Sequence, residues 1–276
     1  MSLGPLALPA VVWACLVGLV TAQVTAHTLA RRGKQDAEQA LWWSVLAACA
    51  LGRAVFVTRW WRHYGTDPLG MLDIRDRGFD AITMVATLLM AVLWFAWRRS
   101  ALRWPLVWST GTGGLVAGFV FLTAGLLEHA THQPLPHLSL PTLKGRRADI
   151  ASDSGQPVVL NLWATWCGPC RREMPVLARA ADRHKTIRFV FANQGESAAV
   201  VGHFLRHRGL GRAHQFLDTG QRLTRRFNVH GYPTTLFFDA SGTLRSVHLG
   251  ELSPGTLAEE LAHITPSSPN PHGKTP

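Results

Sequence analysis

Cys167 and Cys170 are separated by Gly168-Pro169 and follow directly on the apolar run Val158–Trp163. Two intervening residues let the sulfurs close a small ring at the ~2.05 Å separation of a disulfide. A helix is expected over Pro169–Arg183, which puts the first cysteine where the positive end of the helix dipole favours thiolate over thiol. The thiolate is the attacking species in disulfide exchange, and a neighbouring thiol resolves the mixed disulfide. The spacing therefore points to reversible dithiol chemistry. Zinc is the rival for the pair, because His203 and His207 complete a formal Cys-x2-Cys…His-x3-His pattern. The intervening 32 residues exceed the ~12–15 of a zinc finger, and the histidines fall on a separate expected helix. They read as a polar surface, with no metal and no cofactor expected.

The elements that must hold the cysteines alternate. Strands are expected at Val158–Trp163, Ile187–Asn193 and near Gln215–Leu217, and helices at Pro169–Arg183, Ser197–Arg208 and Gln221–Phe227. A hairpin of Thr234–Asp239 and Leu244–Leu249, turning at Ala240-Ser241-Gly242, precedes a last helix at Pro254–Ile264. This order predicts a mostly parallel α/β sheet with an antiparallel edge. Pro134, Pro136 and Pro141 punctuate an extended lead-in, and the Pro-rich stretch 265–276 reads as a disordered tail.

Residues 1–130 have another texture. Apolar stretches near 6–29, 39–58, 81–97 and 104–127 are each long enough, or nearly so, to cross a bilayer as a helix. The first, third and fourth lack the polar stripe of a soluble bundle helix. Gly111, Gly113, Gly114 and Gly118 suit close helix packing in lipid. A signal peptide would need a basic start and a shorter apolar core, whereas no Lys or Arg precedes Arg31. Arg31, Arg32 and Lys34, together with Arg98, Arg99 and Arg103, outnumber Arg59, Arg62, Arg75 and Arg77. The positive-inside rule then leaves both termini outside. The fold class expected is an α-helical membrane region of four transmembrane helices plus an α/β domain over 134–264.

Composition narrows the classes further. The 276 residues are 47% hydrophobic and only 16% charged, which excludes a disordered chain. Four cysteines are too few for a disulfide-built scaffold, and a phosphate-binding Gly-rich loop is absent. The net charge of +11 is spread over both halves without an aromatic-basic signature, so no nucleic acid is expected.

Thr165-Trp166-Cys167-Gly168-Pro169-Cys170-Arg171-Arg172-Glu173-Met174-Pro175, with Gly231-Tyr232-Pro233-Thr234 downstream, resembles thioredoxins and most nearly the TlpA/ResA branch of bacterial membrane-anchored reductases. The resemblance implies a cis Pro233 beside the disulfide and a wall of Trp166, Tyr232 and Pro233 where a substrate strand docks. It also implies that Cys167 attacks and Cys170 resolves. Thioredoxin's buried aspartate, six residues before the first cysteine, is here Asn161, which cannot take up a proton. Glu173, one turn beyond Cys170 on the same helix face, matches a glutamate that this branch links to cysteine reactivity. It is read as assisting proton transfer, the alternative being a solvated carboxylate paired with an arginine. The family's peroxidases would carry Thr-x-x-Cys, so dithiol exchange is favoured here. Gly168-Pro169 favours a reductase acting on protein disulfides, with apocytochrome c as an implied substrate and a membrane or periplasmic electron donor.

Gly52-Arg53-Ala54-Val55-Phe56-Val57, Tyr64, Asp67-Pro68-Leu69 and Leu72-Asp73-Ile74-Arg75-Asp76-Arg77-Gly78-Phe79 resemble the front part of prolipoprotein diacylglyceryl transferase. That family continues into Ser-Phe-His-Gly-Gly, whereas Asp80-Ala81-Ile82 follows here, so transferase activity is not expected. Arg53 within an apolar span is costly and would bind a lipid phosphate or pair with Asp73 or Asp76. Cys15 and Cys49 fall in the first two spans and read as ordinary apolar residues, an intramembrane relay to Cys167 being the bolder alternative. A lipid-handling protein with an accessory thioredoxin domain is the rival function, and a non-enzymatic holdase a third.

Overall fold

The computed structural model describes residues 10–32, 36–64, 68–128, 133–152, 155–210 and 214–265. The first half contains α1 (Ala10–Arg31), α2 (Glu38–Arg59), the short α3 (Trp61–Tyr64) and α4 (Pro68–Leu72), α5 (Ala81–Arg98) and α6 (Arg103–Glu128). The second half runs β1 (Ser139–Pro141), β2 (Arg147–Asp149), β3 (Val158–Trp163), α7 (Gly168–Arg183), β4 (Arg188–Gln194) and α8 (Ala198–His207). It ends with β5 (Gln215–Asp218), α9 (Arg222–Arg226), β6 (Thr234–Phe238), β7 (Leu244–Leu249) and α10 (Pro254–Ile264). Contacts divide the chain into two units, Met1–Trp61 with Gly78–Thr131 and Arg62–Arg77 with His132–Pro276.

In the first unit, helices Val12–Arg31, Glu38–Arg59, Ala81–Arg98 and Ser100–Thr123 are long and apolar enough to cross a membrane. Large apolar side chains such as Leu93, Leu115 and Phe119 face outward, a surface that water does not tolerate over so large an area. α1 lies along α6 at backbone contact. A Cβ on Gly113 would stand 2.6 Å from the Gly18 carbonyl oxygen, and one on Gly18 would stand 2.7 Å from Ala117 Cβ. Thr25 and Thr112 hydroxyls meet across the same seam at 3.1 Å. Of the four glycines expected to pack, Gly113 alone does so; a Cβ on Gly111, Gly114 or Gly118 meets nothing within 4 Å. At 100° per residue those three turn away from the face that Gly113 presents. Arg53 donates from Nη1 to the Gly78 carbonyl at 2.8 Å, and its guanidinium lies over the rings of Phe56 and Phe79.

The second unit is built on a five-stranded sheet in the order β5-β4-β3-β6-β7. β3 pairs parallel with β4 and antiparallel with β6, and β6 pairs antiparallel with β7. The hairpin therefore does more than add an edge. Its first strand enters beside the central β3, so the reversed strand is interior. β3 is buried along its whole length, as expected of a strand covered on both faces. Val159 and Trp163 pack with Met174 and Leu177 of α7 and Leu257 and Leu261 of α10. Leu160 and Leu162 face the other way, toward Phe216, Leu223 and Leu236. Asn161 shares the α7 face with Val159 and Trp163, because alternate strand residues point the same way.

Caps fix where the helices begin. Ser197 Oγ accepts from Val200 N at the start of α8, and Ser253 Oγ from Thr256 N at the start of α10, as short hydroxyl side chains do at N-caps. Prolines stand within the first two positions of α7 and α10, where no amide proton is required. The extended lead-in forms a two-stranded β1–β2 sheet. Residues 6–9 and 266–276, assigned to the first span and to the tail, lie outside the described residues.

Replacing Gly113 should force α1 and α6 apart, since overpacking a close contact costs about 1–3 kcal/mol. Gly113→Ala should lower the melting temperature of the purified chain. Gly114→Ala, which faces open space and gains helix propensity, should hold or raise it.

Candidate active site

The apolar β3 delivers the chain to a turn over residues 164–167, and α7 begins at once. Cys167 is the helix N-cap, in extended backbone, and its Sγ accepts the Cys170 amide proton at 3.2 Å. The two cysteines are joined by a disulfide with Cα atoms 5.3 Å apart. Cys170 is completely buried, while Cys167 retains a small exposed area. The cysteine that keeps some exposure is the one at the positive end of the α7 dipole.

A carboxylate that sequence reasoning passed over steadies this turn. Glu196 accepts from the Thr165 amide at 2.7 Å and from the Thr165 hydroxyl, and Asn193 Nδ2 donates to it at 2.7 Å. The signal was an acid two residues past the end of β4, the neighbour of β3. Trp166, at the tip, is 68% exposed and meets Tyr232 edge-on with centroids 6.0 Å apart. The Tyr232–Pro233 peptide bond is cis and Pro233 is buried. Tyr232 is held from behind, its hydroxyl 2.7 Å from Thr224 Oγ1, which itself donates to Gln194 Oε1 at 2.9 Å. The structure therefore brings Trp166 and Tyr232 together.

Glu173 lies under the helix N-terminus, 1% exposed. Its Oε1 accepts from Asn161 Nδ2 at 2.8 Å and its Oε2 from the Leu252 amide at 3.0 Å. Burial disfavours the charged form and pushes the carboxyl up to about 8, the two donors offsetting this only in part. The nearby Glu251 carboxylate adds to the rise. Arginine pairing, the alternative for Glu173, falls to its neighbour: Arg172 binds Glu251 through Nη2 at 2.6 Å and Nε at 2.9 Å. Asn161 also donates to Thr235 Oγ1 at 2.9 Å. The asparagine thus holds the carboxyl that sits over it.

His203 and His207 stack on each other, centroids 4.3 Å apart, on the exposed side of α8. Among the described residues, no group of three or more His, Cys, Asp or Glu side chains is placed to hold a metal ion. Cys15 on α1 and Cys49 on α2 are free thiols.

A buried disulfide at a helix N-terminus on a mixed sheet defines a thioredoxin-like redox domain. Residues 131–247 match the model of the AhpC/TSA family. The thioredoxin-like protein YneN of Bacillus subtilis is 31% identical over 133 residues, 47% of this chain and 77% of that protein. The thiol:disulfide interchange protein DsbE of Pseudomonas fluorescens is 30% identical over 171 residues, 58% of this chain and 92% of that protein. The thiol-disulfide oxidoreductase ResA of Bacillus subtilis is 29% identical over 133 residues, 48% and 74% of the two chains. The C-terminal half is a thioredoxin-like AhpC/TSA domain, and the chain belongs with the thiol-disulfide oxidoreductases of the ResA and DsbE type.

The raised carboxyl links this site to stability. Glu173 ionises near 4.5 in the unfolded chain and near 8 in the fold, so between these values the native state keeps a proton that the unfolded state has lost. Its contribution is complete below the lower value and vanishes as pH rises through the upper one. Buried His248, depressed from 6.5 to about 4, acts in the opposite sense and only below pH 6.5. Urea denaturation of the oxidised chain should therefore show stability falling by about 2 kcal/mol between pH 6.5 and 8. Glu173→Gln should flatten that decline.

Proposed function

We propose that this chain is a membrane-anchored reductase of protein disulfides, working through Cys167 and Cys170 on the periplasmic side of a bacterial inner membrane. The observation that supports the chemistry best is the half-accessible disulfide at the start of α7 with a buried carboxyl one turn below it. In the reduced chain, the Cys167 thiolate attacks a substrate disulfide, forms a mixed disulfide and releases the first substrate thiolate. Cys170 then attacks Cys167 Sγ, the Cys167–Cys170 bond forms, and the second substrate sulfur leaves. Two electrons pass from the dithiol to the substrate. The structure corresponds to the oxidised product, which an external dithiol donor must reduce again.

Glu173 takes the proton from the Cys170 thiol as that sulfur attacks, and returns it when the disulfide is reopened. A carboxyl near 8 is matched to a thiol of ordinary pKa ~8.5, the condition under which a proton passes either way at little cost. Trp166, Tyr232 and Pro233 form the surface on which the substrate strand docks. An apocytochrome c with an oxidised cysteine pair is a substrate class that the TlpA/ResA resemblance supplies.

The anchor in this proposal is α1, α2, α5 and α6 spanning the bilayer. The basic residues Arg31, Arg32, Arg98, Arg99 and Arg103 lie at the cytoplasmic ends and both termini lie outside. Lipid handling is kept out of the proposal. The matched family model covers 131–247 and none of the first four long helices, and Arg53 gives a donor to the Gly78 carbonyl.

Insulin reduction by the full chain tests the reading. Cys167→Ser should fall to background, and Cys170→Ser should accumulate a mixed disulfide with its substrate. Glu173→Gln should slow release of the second substrate thiol by about 10–100-fold and lose the rise in rate through pH 8. An unchanged pH profile in that variant would remove Glu173 from the mechanism.

A further inference from the structure

The segment Arg62–Arg77 stands in sequence between two long apolar helices, yet its contacts group it with the thioredoxin-like unit. Tyr64 is buried and its ring lies on Gly255, where an added Cβ would stand 2.6 Å from the ring carbon Cε2. The Tyr64 hydroxyl donates to Asp76 Oδ2 at 3.1 Å and lies 3.2 Å from Ser253 Oγ. Thr256 Oγ1 donates to the Asp76 carbonyl at 3.2 Å. The segment thus grips Ser253, Gly255 and Thr256, the N-cap and first turn of α10. Arg77 approaches Gly250, where a Cβ would lie 3.8 Å from its Nη2.

Those gripped residues continue into the ones that hold Glu173. The Leu252 amide, next to Ser253, donates to Glu173 Oε2. Glu251 binds Arg172, which neighbours Glu173 on α7, and Asp73 of the same segment adds its negative charge near Arg172. The groups at the Glu173 carboxyl are Asn161 from β3, and the Leu252 amide and Glu251 carboxylate from the β7–α10 loop, with Cys170 one turn earlier on the same helix.

We infer that the Arg62–Arg77 segment clamps residues 251–253 against Glu173, with Tyr64 and Asp76 as positioning residues for proton transfer at Cys170. This rests on the role given to Glu173 above. The Leu252 amide stabilises the ionised carboxylate, and a loop released by the segment presents that amide less well. The carboxyl then ionises at higher pH, and the rise in rate moves with it.

The test is the pH dependence of insulin reduction by the full chain. Tyr64→Phe keeps the ring on Gly255 and removes the hydroxyl; it should move the rise upward by about half a pH unit or more. Gly255→Ala displaces Tyr64 from the opposite side and should move it the same way. In a Glu173→Gln background neither substitution should shift the profile further. A normally folded Tyr64→Phe chain with the original profile overturns the inference, as does an equal shift in both backgrounds. If Glu173→Gln itself changes nothing, the role of Glu173 fails and hydrogen exchange at the Leu252 amide decides the clamp separately. The clamp requires exchange about tenfold or more faster in Tyr64→Phe, by local opening, and unchanged exchange overturns it.

Discussion

The site depends on a single junction, the point at which β3 becomes α7. Cys167 closes the turn between the two elements, extended in its own backbone and yet the residue whose sulfur caps the helix. A cap normally satisfies an orphan amide with a side-chain oxygen. Here a sulfur does it, so the same amides and dipole that end the helix also favour negative charge on that sulfur. β3 is buried along its whole length between two strands, which keeps the junction from drifting. Glu196 fixes the turn from the β4 side through Thr165. Exposure then separates the two cysteines, Cys170 buried outright and Cys167 retaining a small exposed area.

Beneath the junction lies a buried acid with two neutral donors. A lone carboxylate in such a place is costly, and the fold meets that cost by keeping the group protonated over most of the physiological range rather than by pairing it with a cation. Arg172, one residue away, is directed to Glu251. The separation of these two neighbours gives the cation to Glu251 and the two neutral donors to Glu173. Asn161 contributes a donor without adding charge, and so tunes the acid less strongly than an ionic partner would.

Much of this was legible in the chain. Val158–Trp163 and Pro254–Ile264 run over the residues expected of them, and Gly168–Arg183 begins within one residue of its expected start. The Cys-Gly-Pro-Cys spacing located the disulfide because its chemistry is local. Long-range relations were not legible. Nothing near Glu196 announces Thr165, thirty-one residues away, and nothing near Tyr64 announces Ser253. The entry of β6 beside β3 is a matter of topology, which hydrophobic alternation does not encode. The glycines of α6 carried a correct class of signal, but their composition could not say which of them faced α1.

The account stands or falls on Cys167 being the ionised, accessible thiol of the pair. Alkylation of the fully reduced chain with iodoacetamide from pH 4 to 9, with the modified residue assigned by mass spectrometry, measures this directly. Cys167 is expected to react first and already below the ordinary thiol range, with Cys170 spared until much higher pH. Equal modification of both thiols, or a Cys167 that stays inert up to pH 8.5, would contradict it.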